Sequence, residues 1–142
     1  MTGADVVTEA RTWLGTRWLH QGRNEHGVDC AGLVIKVAHA LRITAFDTVD
    51  YPRRATDESM LTLCREHLLE VSSPRPGDLP VIRFDTDRHI AILGDYLYGG
   101  LSLIHATSHF PRRVVEHRFN DEWLRSKRAS VLAVFRFPGV EA

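Results

Sequence analysis

The sequence of 142 residues lacks an excess of charge of either sign. Its 18 lysine and arginine residues balance 18 aspartate and glutamate residues, so the formal net charge is zero. This balance argues against a dedicated nucleic-acid-binding protein, because such proteins carry a clear basic excess. Long apolar runs are also missing. No segment approaches the roughly 18 consecutive apolar residues of a transmembrane helix, so the sequence predicts no membrane span.

Cysteine is scarce, since Cys30 and Cys64 are the only two in the chain. Two cysteines exclude a disulfide-rich scaffold, and the absence of a C-x-x-C pair removes the usual structural zinc pattern. The N-terminus carries Asp5 and Glu9 and has no basic stretch followed by an apolar run. It therefore does not have the pattern of a secretory signal peptide. We expect synthesis in the cytoplasm, with export, if any, by a route that needs no signal peptide.

Apolar periodicity predicts three helices in the first half of the chain. Residues 4–14 place their apolar side chains on one face, and Gly15 provides a stop signal. Asp29 is a candidate N-cap for an apolar helix over residues 30–41. A third helix is predicted from Thr56 to about residue 69.

The second half predicts short strands separated by turn-prone residues. The predicted strands are 79–84, 89–93, 102–106, 114–118 and 131–137, with a short helix over 121–126 capped by Asn120. Helices followed by strands indicate an α+β fold, with N-terminal helices packed on a C-terminal antiparallel sheet of about five strands in meander order. Because no repeat or linker divides the chain, residues 1–142 are expected to form a single domain.

Cys30 occupies the predicted position of a reactive thiol, in the first turn of a buried helix. The free N–H groups and the dipole at a helix N-terminus lower a thiol pKa and can stabilise an oxyanion. The alternative is a small buried core residue. Gly32 weighs against that alternative, because a glycine inside an apolar helix costs about 1 kcal/mol relative to alanine. A closely approaching backbone or substrate would explain it.

His89 and His105 are candidates for the base and its orienting partner. A cysteine nucleophile needs a base that takes its proton and later protonates the leaving amine. Period-two alternation places His89 on the same strand face as Ala91 and Leu93. His105 lies on the next predicted strand, about 4.8 Å away, where it can orient the imidazole. Each histidine alone is typical of a hydrogen-bonded structural residue, whereas the three residues together indicate a catalytic set.

Five segments of the chain, in order, carry the residues typical of one enzyme family. They read WLGTRW over 13–18, VDCAGLV over 28–34, RPGDL over 75–79, HIAILG over 89–94 and IHA over 104–106. They resemble the LGTPY, DCSGLV, PGDL, HVGIYLG and IHA segments of the NlpC-type cell-wall peptidases, a compact papain-like family. The resemblance implies this compact fold, with Cys30 as nucleophile, His89 as general base and acid, and His105 as orienting residue.

Two positions depart from the family pattern beside the nucleophile. A tyrosine of the opening segment lies near the oxyanion in the family, and Trp18 takes that place here. Its indole offers an N–H donor instead of a hydroxyl, so Trp18 is expected on the oxyanion side as a donor or as a wall of the cleft. Ala31 replaces the usual serine. Asp29 and Ala31 are expected beside the substrate or the oxyanion.

Residues 18–22, WLHQG, resemble a YRHQG-like segment of phage tail and gene-transfer-agent peptidases. The resemblance implies cleavage of amide bonds in peptidoglycan stem peptides, with action on the cell wall as part of a phage or phage-like tail and contacts with tail or baseplate proteins. His20 and Gln21 are expected either to line the cleft or to be exposed loop residues. No cofactor, metal, nucleic acid or membrane is implied, and the protein is expected to be a monomer in isolation.

Three other functions stay open at this point. The first is a thiol amidase or acyltransferase on the same fold. The second is a zinc site formed by Cys30, His89 and His105 with one open position. The third is a structural tail protein with a weakened site, suggested by Trp18 and Ala31.

The remaining histidines show no tight metal-ligand spacing. Surface or structural positions are expected for His26, His39, His67, His109 and His117. Cys64 lies among leucines of the third predicted helix and is expected in the core.

Overall fold

A computed structural model describes residues 1–141 of the chain. The helices are α1 (Gly3–Arg11), α2 (Cys30–Ala40), α3 (Ser59–His67) and α4 (Asp121–Ser126). The strands are β1 (Arg23–Asn24), β2 (Gly27–Val28), β3 (Leu69–Glu70), β4 (Leu79–Phe84), β5 (Asp87–Ile90), β6 (Ile92–Asp95), β7 (Leu101–Ala106), β8 (Val114–Phe119) and β9 (Ala129–Arg136). Across the described residues, no helix has the length and apolarity needed to cross a bilayer. The predicted α+β class is confirmed.

Helix α2 begins at Cys30, as its sequence predicts. The Oδ1 atom of Asp29 accepts a hydrogen bond of 2.8 Å from the N–H of Gly32, which satisfies one free donor of the first turn. A Cβ atom at Gly32 would overlap the carbonyl oxygen of Gly22. The predicted close approach of another backbone is therefore confirmed, and it accounts for a glycine inside this helix.

The other helix boundaries depend on neighbouring structure. Helix α1 ends at Arg11, before the predicted residue 14. Helix α3 is shorter than predicted at both ends, because the carboxylate of Asp57 accepts from the N–H of Ser59 before the helix begins. After the helix, Leu69 and Glu70 pair with β9 instead of continuing the helix. Helix α4 has the predicted bounds, and Asn120 caps it through the N–H of Trp123.

The strands form antiparallel sheets in the orders β3-β9-β4-β5 and β6-β7-β8, beside the short pair β1-β2. The predicted meander is correct for β6, β7 and β8, but it is wrong for β9, which crosses over to lie between β3 and β4. The predicted strand 89–93 divides at Ala91. Strand β5 pairs with β4 and strand β6 pairs with β7, so this segment passes from one sheet to the next.

The core lies on both faces of the sheets. A larger cluster packs α1, α2 and α3 against one face and includes Ile90 and Ile92. A smaller cluster on the other face includes Ala91 and Leu93 and packs against Trp123 of α4. The alternation predicted for this segment is confirmed, although its residues belong to two strands.

A partly buried ion pair joins the residue before β4 to the end of β9. The carboxylate of Asp78 accepts hydrogen bonds of 2.7 and 2.8 Å from the guanidinium of Arg136, and it also accepts from the N–H of Arg75. The N–H of Leu93 donates to the carbonyl oxygen of Asp78. These bonds fix the turn that precedes the sheet and hold it against the segment that carries His89.

Candidate active site

Cys30 lies at the N-terminus of α2 and lines a cavity of about 930 Å³. Its side chain is partly buried, and the backbone N–H of Ile90 acts on the thiol by lowering its pKa. His89, on β5, and His105, on β7, line the same cavity. The tertiary structure therefore brings the three residues singled out in the sequence to one place.

The pKa of the Cys30 thiol differs from the sequence expectation. Burial raises this pKa to about 11, and the neighbouring Asp29 carboxylate raises it further. The amides of Ile90 and Ala31 act in the opposite direction and lower the pKa. The predicted lowering of the thiol pKa by the helix N-terminus is therefore wrong for the free protein. Loss of hydration destabilises the thiolate more than the backbone amides stabilise it.

His89 and His105 are in direct contact. The Nε2 atom of His89 lies 2.8 Å from the Nδ1 atom of His105, and the two rings are almost perpendicular, at 78°. Burial lowers the pKa of His89 to about 4. The pKa of His105 is also well below its usual value, through burial and the nearby His89. At neutral pH both rings are therefore uncharged.

His117 extends this pair to a row of three imidazoles. Its Nε2 atom lies 2.9 Å from the Nε2 atom of His105, and its Nδ1 atom lies 2.8 Å from the carbonyl oxygen of Arg118. The expectation of an ordinary surface or structural position therefore missed its place beside the candidate catalytic pair. The sequence signal for it was that two neighbouring predicted strands each carry a histidine. In the antiparallel pair β7 and β8, His117 lies opposite Leu103, so it is a diagonal neighbour of His105.

Asp29 is the centre of a polar network under the nucleophile. Besides capping α2, its carboxylate accepts from the hydroxyl of Tyr51 at 2.8 Å and from the backbone N–H of Gln21 at 2.7 Å. The guanidinium of Arg23 lies 3.3 Å from it and also donates to the Tyr51 hydroxyl at 2.8 Å. Asp29 is thus a buried organising residue whose acceptor positions are taken by the protein itself.

Tyr51 and Arg23 were not identified from the sequence. Tyr51 lies in residues 41–58, which form turns and bends between α2 and α3. It lines the cavity, and burial raises the pKa of its hydroxyl above its usual range. Neither apolar periodicity nor a capping signal marks residues 42–55, so the packing of Tyr51 against Asp29 follows only from the tertiary structure.

His20 and Gln21 do not line the cavity. The side chain of Gln21 donates to the carbonyl oxygens of Val49 and Tyr51, and so holds residues 41–58 in place. The Nδ1 atom of His20 lies 3.9 Å from the Asp29 carboxylate, and its ring packs edge-on against Tyr51. The structure therefore gives both residues contacts with the network around Asp29, instead of positions along the cleft.

Trp18, which precedes Cys30 in the sequence, and Ala31, which follows it, both line the cavity. The guanidinium carbons of Arg53 and Arg112 lie 5.3 and 5.5 Å from the centre of the Trp18 ring, within the range of cation–π attraction. Trp18 is itself buried. These contacts fit the expected role of Trp18 as a wall of the cleft.

The geometry does not support the zinc alternative. The facing nitrogens of His89 and His105 are hydrogen-bonded to each other, so they cannot both bind one ion. Within residues 1–141, no group of three or more His, Cys, Asp or Glu side chains is arranged to hold a metal. Cys64, on α3, is buried in the core, as predicted.

The sequence matches no protein-family model and no curated protein, but the fold matches solved structures. An NlpC/P60 family protein from Bacillus cereus ATCC 10987 aligns over 96% of this chain with a TM-score of 0.65 and 19% identity. NlpC1 from Trichomonas vaginalis aligns over 95% with a TM-score of 0.68 and 19% identity. This chain spans 40% and 44% of the length of those two proteins.

A third match has nearly the same extent as this chain. The NlpC/p60 domain of the peptidoglycan hydrolase SagA aligns over 95% of this chain and 98% of its own length, with a TM-score of 0.57 and 22% identity. At these identities the comparison establishes the fold. The chain therefore has the α+β fold of solved NlpC/P60 proteins, with Cys30, His89 and His105 around one cavity.

Proposed function

We propose that this chain is a cysteine peptidase of the NlpC/P60 type that hydrolyses amide bonds in peptidoglycan stem peptides. The observation that carries the proposal is the single cavity lined by Cys30 and the hydrogen-bonded pair His89 and His105. Similarity to the fold of a peptidoglycan hydrolase domain supports the substrate class. We further propose that residues 1–142 act as one catalytic domain, since both halves of the chain line the cavity.

The pKa values determine how the first step would proceed. In the free protein Cys30 is a neutral thiol and His89 a neutral imidazole, because burial disfavours both charged forms. The Nε2 atom of His89 is engaged by His105, so Nδ1 is the nitrogen available to take the thiol proton. The thiol proton therefore passes to Nδ1 of His89 while Sγ attacks the amide carbon. A preformed pair of thiolate and imidazolium is not required.

The remaining steps use the same groups. The backbone N–H groups of Cys30 and Ala31, at the start of α2, are the donors that we assign to the developing oxyanion. His89 then returns its proton to the leaving amine, and the acyl group stays on Cys30 as a thioester. Water, deprotonated by His89, hydrolyses the thioester and regenerates the thiol. In this scheme Trp18 acts as a wall beside the reacting carbonyl.

The decisive experiment is a digest of defined muropeptides, with products identified by mass spectrometry. Wild-type protein should cleave an amide bond of the stem peptide, and iodoacetamide should block the cleavage. Cys30→Ala should be inactive, whereas Cys64→Ala, which removes the other thiol, should keep its activity. Full activity of Cys30→Ala would refute a thiol mechanism.

A second candidate function is acyl transfer, in which another nucleophile replaces water. It is favoured by the apolar side chains of Met60, Leu63 and Phe137, which line the same cavity as Cys30. Such an apolar lining suits an aliphatic acyl group better than a charged peptide. Mass spectrometry of the product decides between the two, since hydrolysis yields a free acid and transfer yields a new acyl ester or amide.

We also propose that the protein acts as part of a phage or phage-like tail, in contact with tail or baseplate proteins. The support is the resemblance of residues 18–22 to tail-associated peptidases. Tail-assembly genes beside the coding sequence, and co-purification of the protein with assembled tails, are the expected observations. Recovery of the protein only apart from tails that form normally would count against this association.

A further inference from the structure

We propose that His117 is a positioning residue that determines which ring nitrogen of His89 is free to accept the thiol proton. The inference rests on the proposed function only where it concerns the reaction rate. Its structural part concerns three histidines in a row, His89, His105 and His117, joined by contacts of 2.8 and 2.9 Å. The row ends at the carbonyl oxygen of Arg118.

The carbonyl oxygen sets the direction of every hydrogen bond in the row. A carbonyl can only accept, so the Nδ1 atom of His117 must carry a proton. In the neutral ring the Nε2 atom of His117 is then an acceptor, and the Nε2 atom of His105 must donate to it. The Nδ1 atom of His105 is consequently an acceptor for the proton on Nε2 of His89.

The direction of these bonds fixes the tautomer of His89, the proposed base. With its proton on Nε2, neutral His89 has its lone pair on Nδ1. That is the only form in which its unengaged nitrogen can take a proton from Cys30. A donor in place of His117 would reverse all these bonds and put a proton on Nδ1 of His89. The backbone of β8 therefore acts on the base through two intervening rings.

The surroundings hold the outer ring in place. The indole of Trp123, on α4, lies against His117 with ring centres 4.9 Å apart and planes inclined by 34°. The same indole packs edge-on against His105. Because both rings are held by α4 and by the paired strands β7 and β8, the row does not depend on a flexible loop.

The test compares three substitutions that differ in hydrogen bonding. His117→Gln can still accept from His105, His117→Phe can neither accept nor donate, and His117→Lys can only donate. His26→Phe is the matched control, because the His26 side chain is 80% exposed and pairs with the equally exposed Glu25. Nitrogen-15 NMR of the histidine rings at neutral pH reports the tautomers directly, without any substrate.

In the wild type we expect protons on Nε2 of His89, Nε2 of His105 and Nδ1 of His117. His117→Gln should keep the protons on Nε2 of His89 and of His105, and His117→Lys should move the His89 proton to Nδ1. A wild-type spectrum with a protonated Nδ1 on His89 would overturn the proposal. So would unchanged His89 and His105 tautomers in a folded His117→Lys variant. If His117→Lys does not fold, the wild-type spectrum and the comparison of His117→Gln with His117→Phe still test the positioning role.

The kinetic measurement separates this inference from the proposed function. On a muropeptide, His117→Gln should stay within a few-fold of wild type, and His117→Phe should lose about 10- to 100-fold, as is typical of supporting residues. His117→Lys should lose about 10⁴-fold, the size of effect seen when a catalytic histidine has the wrong tautomer. An inactive wild type with the expected tautomers would refute the peptidase and leave the positioning role standing. Equal rates for Gln, Phe and Lys in an active enzyme would refute the positioning role alone.

Discussion

The hydroxyl of Tyr51 donates a hydrogen bond of 2.8 Å to the Oδ2 atom of Asp29, the residue that precedes the candidate nucleophile. Tyr51 comes from residues 41–58, which lie between α2 and α3, whereas Asp29 caps α2. One buried carboxylate therefore both begins the helix that carries Cys30 and anchors the segment that covers part of the cavity.

Removal of this hydroxyl should loosen the segment without destroying the fold. Tyr51→Phe leaves Asp29 with the N–H groups of Gln21 and Gly32, but it removes the hydrogen bonds that join the hydroxyl to Asp29 and Arg23. We expect a decrease of about 2 kcal/mol in the free energy of unfolding, measured by urea denaturation, and a higher KM for a cleaved muropeptide. Tyr98→Phe is the control, because Tyr98 is 76% exposed and should change neither quantity.

The pH dependence of Cys30 alkylation tests the raised thiol pKa. The thiolate is the form that reacts, and burial raises the pKa of Cys30 to about 11. In a Cys64→Ala background, alkylation by iodoacetamide should be slow at neutral pH and rise about tenfold per pH unit through pH 9, without a plateau. A plateau beginning near pH 8.5 or below would show that substrate-free Cys30 is not desolvated in this way.

Acid should destabilise the protein through His89. The pKa of His89 is about 4 in the folded state and about 6.5 in the unfolded chain. As the pH falls, the unfolded chain therefore binds the proton first. The stability present above pH 6.5 is lost between about pH 6.5 and pH 4.

His89→Gln removes this titration. Between pH 7 and pH 4 the wild type should lose about 3 kcal/mol more unfolding free energy than His89→Gln, as measured by urea denaturation at each pH. His26→Gln, at an exposed position, should follow the wild type. Parallel losses in wild type and His89→Gln would mean that the pKa of His89 is not lowered in the folded protein.

The ion pair between Asp78 and Arg136 should stabilise the fold far more than an exposed pair of the same type. The Asp78 side chain is 1% exposed and the Arg136 side chain 18%, so Asp78→Ala leaves a mostly covered guanidinium and the N–H of Arg75 without their acceptor. We expect a loss of about 2 to 3 kcal/mol in unfolding free energy, measured by chemical denaturation. Asp87→Ala is the matched control, because its partner Arg54 is 67% exposed, and a change below about 1 kcal/mol is expected. Similar effects of the two substitutions would contradict the role assigned to burial.

The sequence by itself determined the local features of this protein. The caps at Asp29 and Asn120, the start of α2, the bounds of α4 and the need for glycine at position 32 all appear in the structure. These features depend on residues a few positions apart in the chain, so a single sequence carries their signals. The α+β class follows from the same local patterns, because helix and strand periodicities differ.

Only the tertiary structure decided which distant segments meet. The crossing of β9, the change of sheet at Ala91 and the contact of Tyr51 with Asp29 depend on pairing between residues far apart in sequence. The apolar periodicity of the sequence carries no signal for such long-range pairing. The raised pKa of Cys30 has the same origin, because desolvation depends on everything packed around the thiol. The sequence pointed to Cys30, His89 and His105, while the third imidazole and the protonation states of the site depend on the assembled fold.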